Sequence, residues 1–141
     1  MEGFSNEEAV ESFLDLGNLD DVPDLGTMPD GSECELILKS IEVRDSQKTG
    51  GKFIMAIFDI VGEPNTKSIN HVMMLPTEKD DEKKRNTRLR AVRTFYEAFN
   101  IPTSGQINVS DYVGNTGWGI LAEEEDSQYG MQNRVRKFIS G

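Results

Sequence analysis

From residue 33 onward the apolar positions fall mostly at strand spacing. Between Glu33 and Arg44, Leu36 and Leu38 share one parity and Ile41 and Val43 the other. That switch predicts a long strand with a bulge or sharp coil near Lys39 and Ser40, so that one strand serves two halves of a bent sheet. Asp45 to Gly51 is a turn with Lys48-Thr49-Gly50-Gly51 at its tip. A second strand is predicted over Lys52 to Val61, where Phe53, Ile54, Ile57, Phe58, Ile60 and Val61 make both faces too apolar for an ordinary edge. The first two strands form a hairpin. Gly62 to Asn65 turns the chain again, and Lys67 to Leu75 is a third strand ended by Pro76.

The period then changes from two to three and four. Leu89, Val92, Tyr96 and Phe99, with Phe95 beside them, predict a helix from about Asp80 to Asn100, stopped at Ile101-Pro102. A connection over Thr103 to Asp111 leads into a closing hairpin. Its first strand runs from about Thr116 to Glu123, with Gly114, Gly117 and Gly119 permitting sharp bends or close backbone approach. Asp126 to Gly130 supplies turn residues, and the return strand, about Met131 to Ile139, sets Gln132, Arg134, Arg136 and Phe138 on one face and Asn133, Val135, Lys137 and Ile139 on the other.

Strand, strand, strand, helix, strand, strand with a bent first strand is the connectivity of the five-stranded Greek-key barrel called the OB-fold, which binds oligonucleotides or oligosaccharides across its sheet and loops. The expected fold is therefore mainly β, a five-stranded OB-fold-like barrel over residues 32–141 with one helix between strands three and four. Residues 1–31 are an acidic arm. Glu7 to Leu16 suits two or three turns of helix capped by Ser5 or Asn6, and Gly17, Pro23, Gly26 and Pro29 stop any regular element. The arm is either a mobile tail or an acidic, apolar segment that docks on a basic surface.

Charge sharpens this division. The net charge is −10, yet residues 1–31 hold nine carboxylates and no Lys or Arg, while the rest of the chain holds 16 acids against 15 bases. A near-neutral domain with clustered cations is able to bind phosphate locally despite the whole-chain sign. One Cys and one His leave no disulfide framework and no soft or imidazole ligand cluster, so no metal or other cofactor is expected. No apolar run approaches a membrane span and the N-terminus lacks a basic start, which points to a cytoplasmic protein without a membrane partner. Catalysis is not expected either. His71 has no partner Ser, Cys or carboxylate at a suggestive spacing, and Lys48-Thr49-Gly50-Gly51 lacks the spacing of a phosphate-cradling loop.

The remaining chemistry is cationic and aromatic. Arg134, Arg136 and Lys137 lie on a ribbon that also carries Phe138, Trp118 and Tyr129, and cations beside exposed rings suit a single-stranded nucleic acid, phosphates meeting the cations and bases stacking on the rings. Trp118 and Phe138 are equally at home in a core, and the cations in a solvated edge. Lys52 joins the candidates, as do Arg85 and Arg88 of the helix. With Lys83, Lys84, Arg90 and Arg93, these two make either a solvated face, a phosphate-tracking surface or a dock for the acidic arm.

Met28-Pro29-Asp30-Gly31-Ser32-Glu33-Cys34-Glu35 before a strand, Gly50-Gly51-Lys52 opening the second, Val113-Gly114-Asn115-Thr116-Gly117-Trp118, Tyr129-Gly130 and Asn133-Arg134-Val135 together resemble a family of small phage and prophage proteins. Members are commonly encoded near replication and recombination functions and are regarded as OB-fold single-stranded-DNA-binding proteins. The resemblance spans residues 28–139 and implies single-stranded DNA as the partner, with phage or host replication and recombination proteins as further partners. Familiar single-strand binders of bacteria and phages carry an acidic tail at the C-terminus, whereas here the acidic segment is N-terminal. A protein-interaction or regulatory module built on the acidic arm and the basic helix is the alternative.

Overall fold

The computed structural model describes residues 12–48 and 50–139. Five strands, β1 (Glu33–Asp45), β2 (Lys52–Ile60), β3 (Ile69–Met74), β4 (Thr116–Asp126) and β5 (Gly130–Ile139), form one antiparallel sheet in the order β3-β2-β1-β4-β5. One helix, α1 (Glu82–Ala98), lies between β3 and β4. The protein is thus mainly β with a single long helix, its elements close to where the hydrophobic pattern places them.

The parity switch in β1 is a bulge. Leu38 pairs with Phe58 and Ser40 with Ile57, leaving Lys39 out of the ladder. Cys34, Leu36 and Leu38 therefore point into the core before the bulge and Ile41 after it, and the strand pairs with β4 over its first half while following β2 to its end.

The finer expectation, closure into a Greek-key barrel, is not met by hydrogen bonding: among the described residues no ladder joins β3 to β5, and the sheet is open along that seam. Aromatic packing fills the space inside it. Phe58 of β2 stacks on Phe99 with centroids 5.0 Å apart and meets Phe95 and Phe138 at 5.9 Å, while His71 of β3 meets Phe138 of β5 edge-on at 5.0 Å. Each such pair adds roughly 0.5–1.5 kcal/mol beyond the area it buries.

α1 supplies one of those rings, Phe95, and the residue that caps it, Phe99, supplies a second. It begins at Asp81, whose carboxylate accepts the Lys84 N–H at 2.8 Å, and ends as Asn100 turns left-handed at φ 57°, sending the Ile101 N–H back to the Tyr96 carbonyl at 2.8 Å. Its start is tied to the end of β3 by Arg88, which donates to the nearly buried Asp80 carboxylate at 2.9 Å and to the Leu75 carbonyl at 3.3 Å.

The chain is joined to the sheet from Gly26 onward. Gly26 bridges Thr66, the Gly31 N–H donates to the Leu121 carbonyl at 2.7 Å, and the Leu121 N–H donates to the Ser32 carbonyl at 2.8 Å. Asn133, the buried polar residue of β5, staples this segment: its Oδ1 accepts the Met28 N–H at 2.8 Å, and its Nδ2 donates to the Met28 and Ala122 carbonyls at 2.9 and 3.1 Å. The helix expected over Glu7 to Leu16 falls largely outside the described residues, and its described part, Ser12 to Leu16, has no helical turn.

Gly117 faces inward on β4, and a Cβ there would lie 2.6 Å from the Ala98 carbonyl and 2.9 Å from the Phe99 ring. Gly117→Ala is therefore expected to destabilise by about 1–3 kcal/mol through overpacking. Urea unfolding checks this; a variant as stable as the parent contradicts the close approach.

Candidate nucleic-acid interface

Alternation along β2 sends Ile54, Ala56, Phe58 and Ile60 inward and leaves Phe53, Met55, Ile57 and Asp59 on the outer face. Paired residues share a face, so register builds three rows across β1, β2 and β3: Arg44, Phe53 and Met74; Glu42, Met55 and Val72; Ser40, Ile57 and Asn70. Phe53, Met55, Ile57, Val72 and Met74 lie outside the core, and Val72 is 49% exposed. An apolar patch with one aromatic ring thus lies on the outer face of β2 and β3, bordered by Arg44, Glu42 and Ser40 of β1.

Its cations are matched by carboxylates. Arg44 hydrogen-bonds Glu42 within the strand, Lys52 pairs with Asp45 across the β1–β2 hairpin at 2.8 Å, and Lys39, extruded by the bulge, stands 3.7 Å from Asp59. These pairs are exposed and individually weak, so an incoming phosphate is able to replace the carboxylate.

At the β3–β5 seam this face deepens into an open cavity of about 410 Å³ lined by Met55, Asn70, His71, Val72, Arg134 and Val135. Burial pushes the His71 imidazole below its ordinary pKa, so the ring is neutral at pH 7. Arg134 donates to the Asn133 carbonyl at 3.2 Å and stands 3.9 Å from Asp126. Of the ribbon cations expected to bind phosphate, Arg134 is the one that borders the cavity.

The other expected residues are scattered. Phe138, expected on one face with Arg134 and Arg136, is a core residue 7% exposed. The cause is a second bulge: Leu121 pairs with Val135 and Ile120 with Lys137, so Arg136 drops out of the ladder and parity flips after it. Arg136 instead grips Asp30 through both carboxylate oxygens at 2.8 and 2.9 Å. Lys137 is exposed opposite Ile120. Tyr129 is exposed at the β4–β5 turn, where Lys67 donates to its carbonyl at 3.3 Å and to that of Met131 at 2.7 Å.

Trp118 is 46% exposed, because Gly117 and Gly119 take the inward positions on either side, and its surroundings include Glu35 and Glu97, which repel phosphate. Arg85 is exposed on α1, and Arg88 is occupied by Asp80 and Leu75. The residues the candidate set omitted are Phe53, Met55, Ile57, Val72 and Met74. Their signal was the double-sided apolarity of β2, which also fits a strand buried on both faces.

No protein-family model and no curated protein matches the chain. The surface itself carries the functional argument.

Asp30 gives a pH test of the clasp on Arg136. The Glu123 N–H and then the Arg136 guanidinium hold its carboxyl below the ordinary value of 3.8. A depressed carboxylate stabilises above its unfolded pKa and loses that contribution as pH falls through the folded one. Asp30→Asn keeps the acceptor for Glu123 but removes the ion pair, so its Tm is expected below the parent's at pH 7, with the gap closing only below about pH 4. Thermal melts between pH 7 and pH 2 check this, and a gap of constant size contradicts it.

Proposed function

We propose that this protein is a non-catalytic, largely sequence-independent single-stranded-DNA-binding protein acting in phage DNA replication or recombination in the host cytoplasm, and that its sheet is an OB-type barrel left open at the β3–β5 seam. The observation that carries this reading is the outer face of β1, β2 and β3, with Met55 at its centre, Phe53 beside Arg44 at one end and Arg134 at its rim. Unpaired bases present flat apolar faces that stack on such a surface, whereas in a duplex those faces are covered by neighbouring base pairs. Of the four side chains on the three rows that bear hydrogen-bonding groups, Arg44 and Glu42 engage each other, which leaves Ser40 and Asn70 to read base edges. The phage setting rests on the resemblance of residues 28–139.

The carboxylate beside each rim cation has a consequence for salt dependence. Each phosphate gained displaces an acid, so attraction is weaker than the number of cations suggests, and apolar contact supplies the larger share.

Titration with a dT oligonucleotide tests the proposal. Phe53→Ala is expected to weaken binding by about 1–3 kcal/mol, the worth of one stacked base, while Trp118→Ala leaves affinity unchanged. Arg134→Glu is expected to lower the log-log salt slope by about 0.7, one single-strand phosphate contact. Duplex bound as tightly as single strand at equal salt overturns the reading; Phe53→Ala at parental affinity with Trp118→Ala impaired moves the site to β4.

A further inference from the structure

The side of α1 turned away from the Phe58 cluster is not a plain solvated face. Leu89, Val92 and Tyr96 line an open groove of about 590 Å³ with Asn86, Arg90, Arg93 and Thr103 at its edges. Leu89 is exposed, and no ion pair within the described residues engages Lys83, Arg85, Arg90 or Arg93. An apolar floor between unpaired cations calls for a segment that is both apolar and acidic.

The chain carries one. From Ser12 to Gly26 every residue is exposed, including Phe13 at 89%, Leu14, Leu16 and Leu19, and Asp15, Asp20, Asp21 and Asp24 alternate with them. Large apolar side chains grouped this densely in water mark an interaction segment. In its own chain this segment lies free of the sheet and leaves the α1 groove open.

We propose that the acidic segment Phe13–Asp24 of one copy docks in the α1 groove of a second copy, its apolar residues on Leu89, Val92 and Tyr96 and its carboxylates against Arg90 and Arg93. The segment is anchored at Gly26 by hydrogen bonds to Asn65 and Lys67, and the thirteen residues back to Phe13 reach roughly 45 Å when extended. Donor segment and acceptor groove are different surfaces, so the contact is heterologous: each copy offers a free groove and a free arm, and the assembly grows head to tail. The inference goes beyond DNA binding and does not depend on it, since no residue of the β1–β2–β3 face takes part.

Sedimentation velocity of the full-length chain without DNA tests it. The parent is expected to associate with increasing concentration, at least tenfold more tightly at ~50 mM than at ~500 mM salt, where exposed charges are screened. Two variants separate the partners: Phe13→Ser with Leu16→Ser spoils the arm, and Arg90→Glu with Arg93→Glu spoils the groove. All four positions are exposed, so folding is expected to survive and circular dichroism verifies it. Each variant alone is expected to be monomeric, and their equimolar mixture to form a dimer that grows no further, one intact arm in one intact groove. A monomeric parent, an arm variant that associates like the parent, or a mixture that stays monomeric overturns the proposal. So does a monomer whose groove protects its own arm from protease.

Discussion

The contact on which the rest of this structure depends is the stack of Phe58 on Phe99, with Phe95 and Phe138 edge-on around it. β2 contributes one ring, α1 and the residue after it two, and β5 the fourth, so a single cluster joins the middle of the sheet, its last strand and its helix. A hydrogen-bonded barrel holds its first and last edges together by a ladder. Here, among the described residues, no ladder spans β3 and β5, and ring contacts hold those edges together from inside without fixing their register. Gly117 belongs to the same arrangement, because the Ala98 carbonyl and the Phe99 ring lie where a side chain on β4 would stand.

The apolar outer face follows from that interior. β2 sits between β1 and β3 and must present Ile54, Ala56 and Phe58 to the cluster, which leaves Phe53, Met55 and Ile57 on the opposite side, with no layer above them among the described residues. Soluble sheets ordinarily put polar side chains there. The apolar side chains kept there are what the proposed binding role would use, and the carboxylates beside Arg44, Lys52 and Lys39 keep the surface electrically quiet.

Both bulges bear on how much of this was legible in the sequence. In β1, Leu36 and Leu38 have one parity and Ile41 and Val43 the other, and although Ile37 already carries the later parity, the polar pair Lys39 and Ser40 separates the two runs, so the irregularity at Lys39 could be read directly. In β5 the same switch lies between Val135 and Phe138, but Ile139 continues the parity of Val135 and masks it. Arg134, Arg136 and Phe138 therefore looked like neighbours on one face, when Arg136 is extruded towards Asp30 and Phe138 is buried. Trp118 misled differently. Its size suggests a core position, and only the need for small inward residues on either side, Gly117 opposite Ala98 and Phe99 and Gly119 against Leu36 and Val135, shows why it faces water. The strands and the helix were legible from their periods; the outer apolar face was not, because double-sided apolarity in β2 has two explanations that periodicity alone does not separate.

The open seam has a mechanical meaning as well. A β-ladder resists sliding, since each hydrogen bond is lost when donor and acceptor move out of line by an ångström or so. Ring contacts such as His71 against Phe138 are far less directional and tolerate the same displacement at small cost. β3 and β5 thus form a slip plane, with Met55 and Val72 on one bank and Arg134 and Val135 on the other. A strand laid across it would bridge two bodies free to adjust their spacing, and would clamp them in the act of being held.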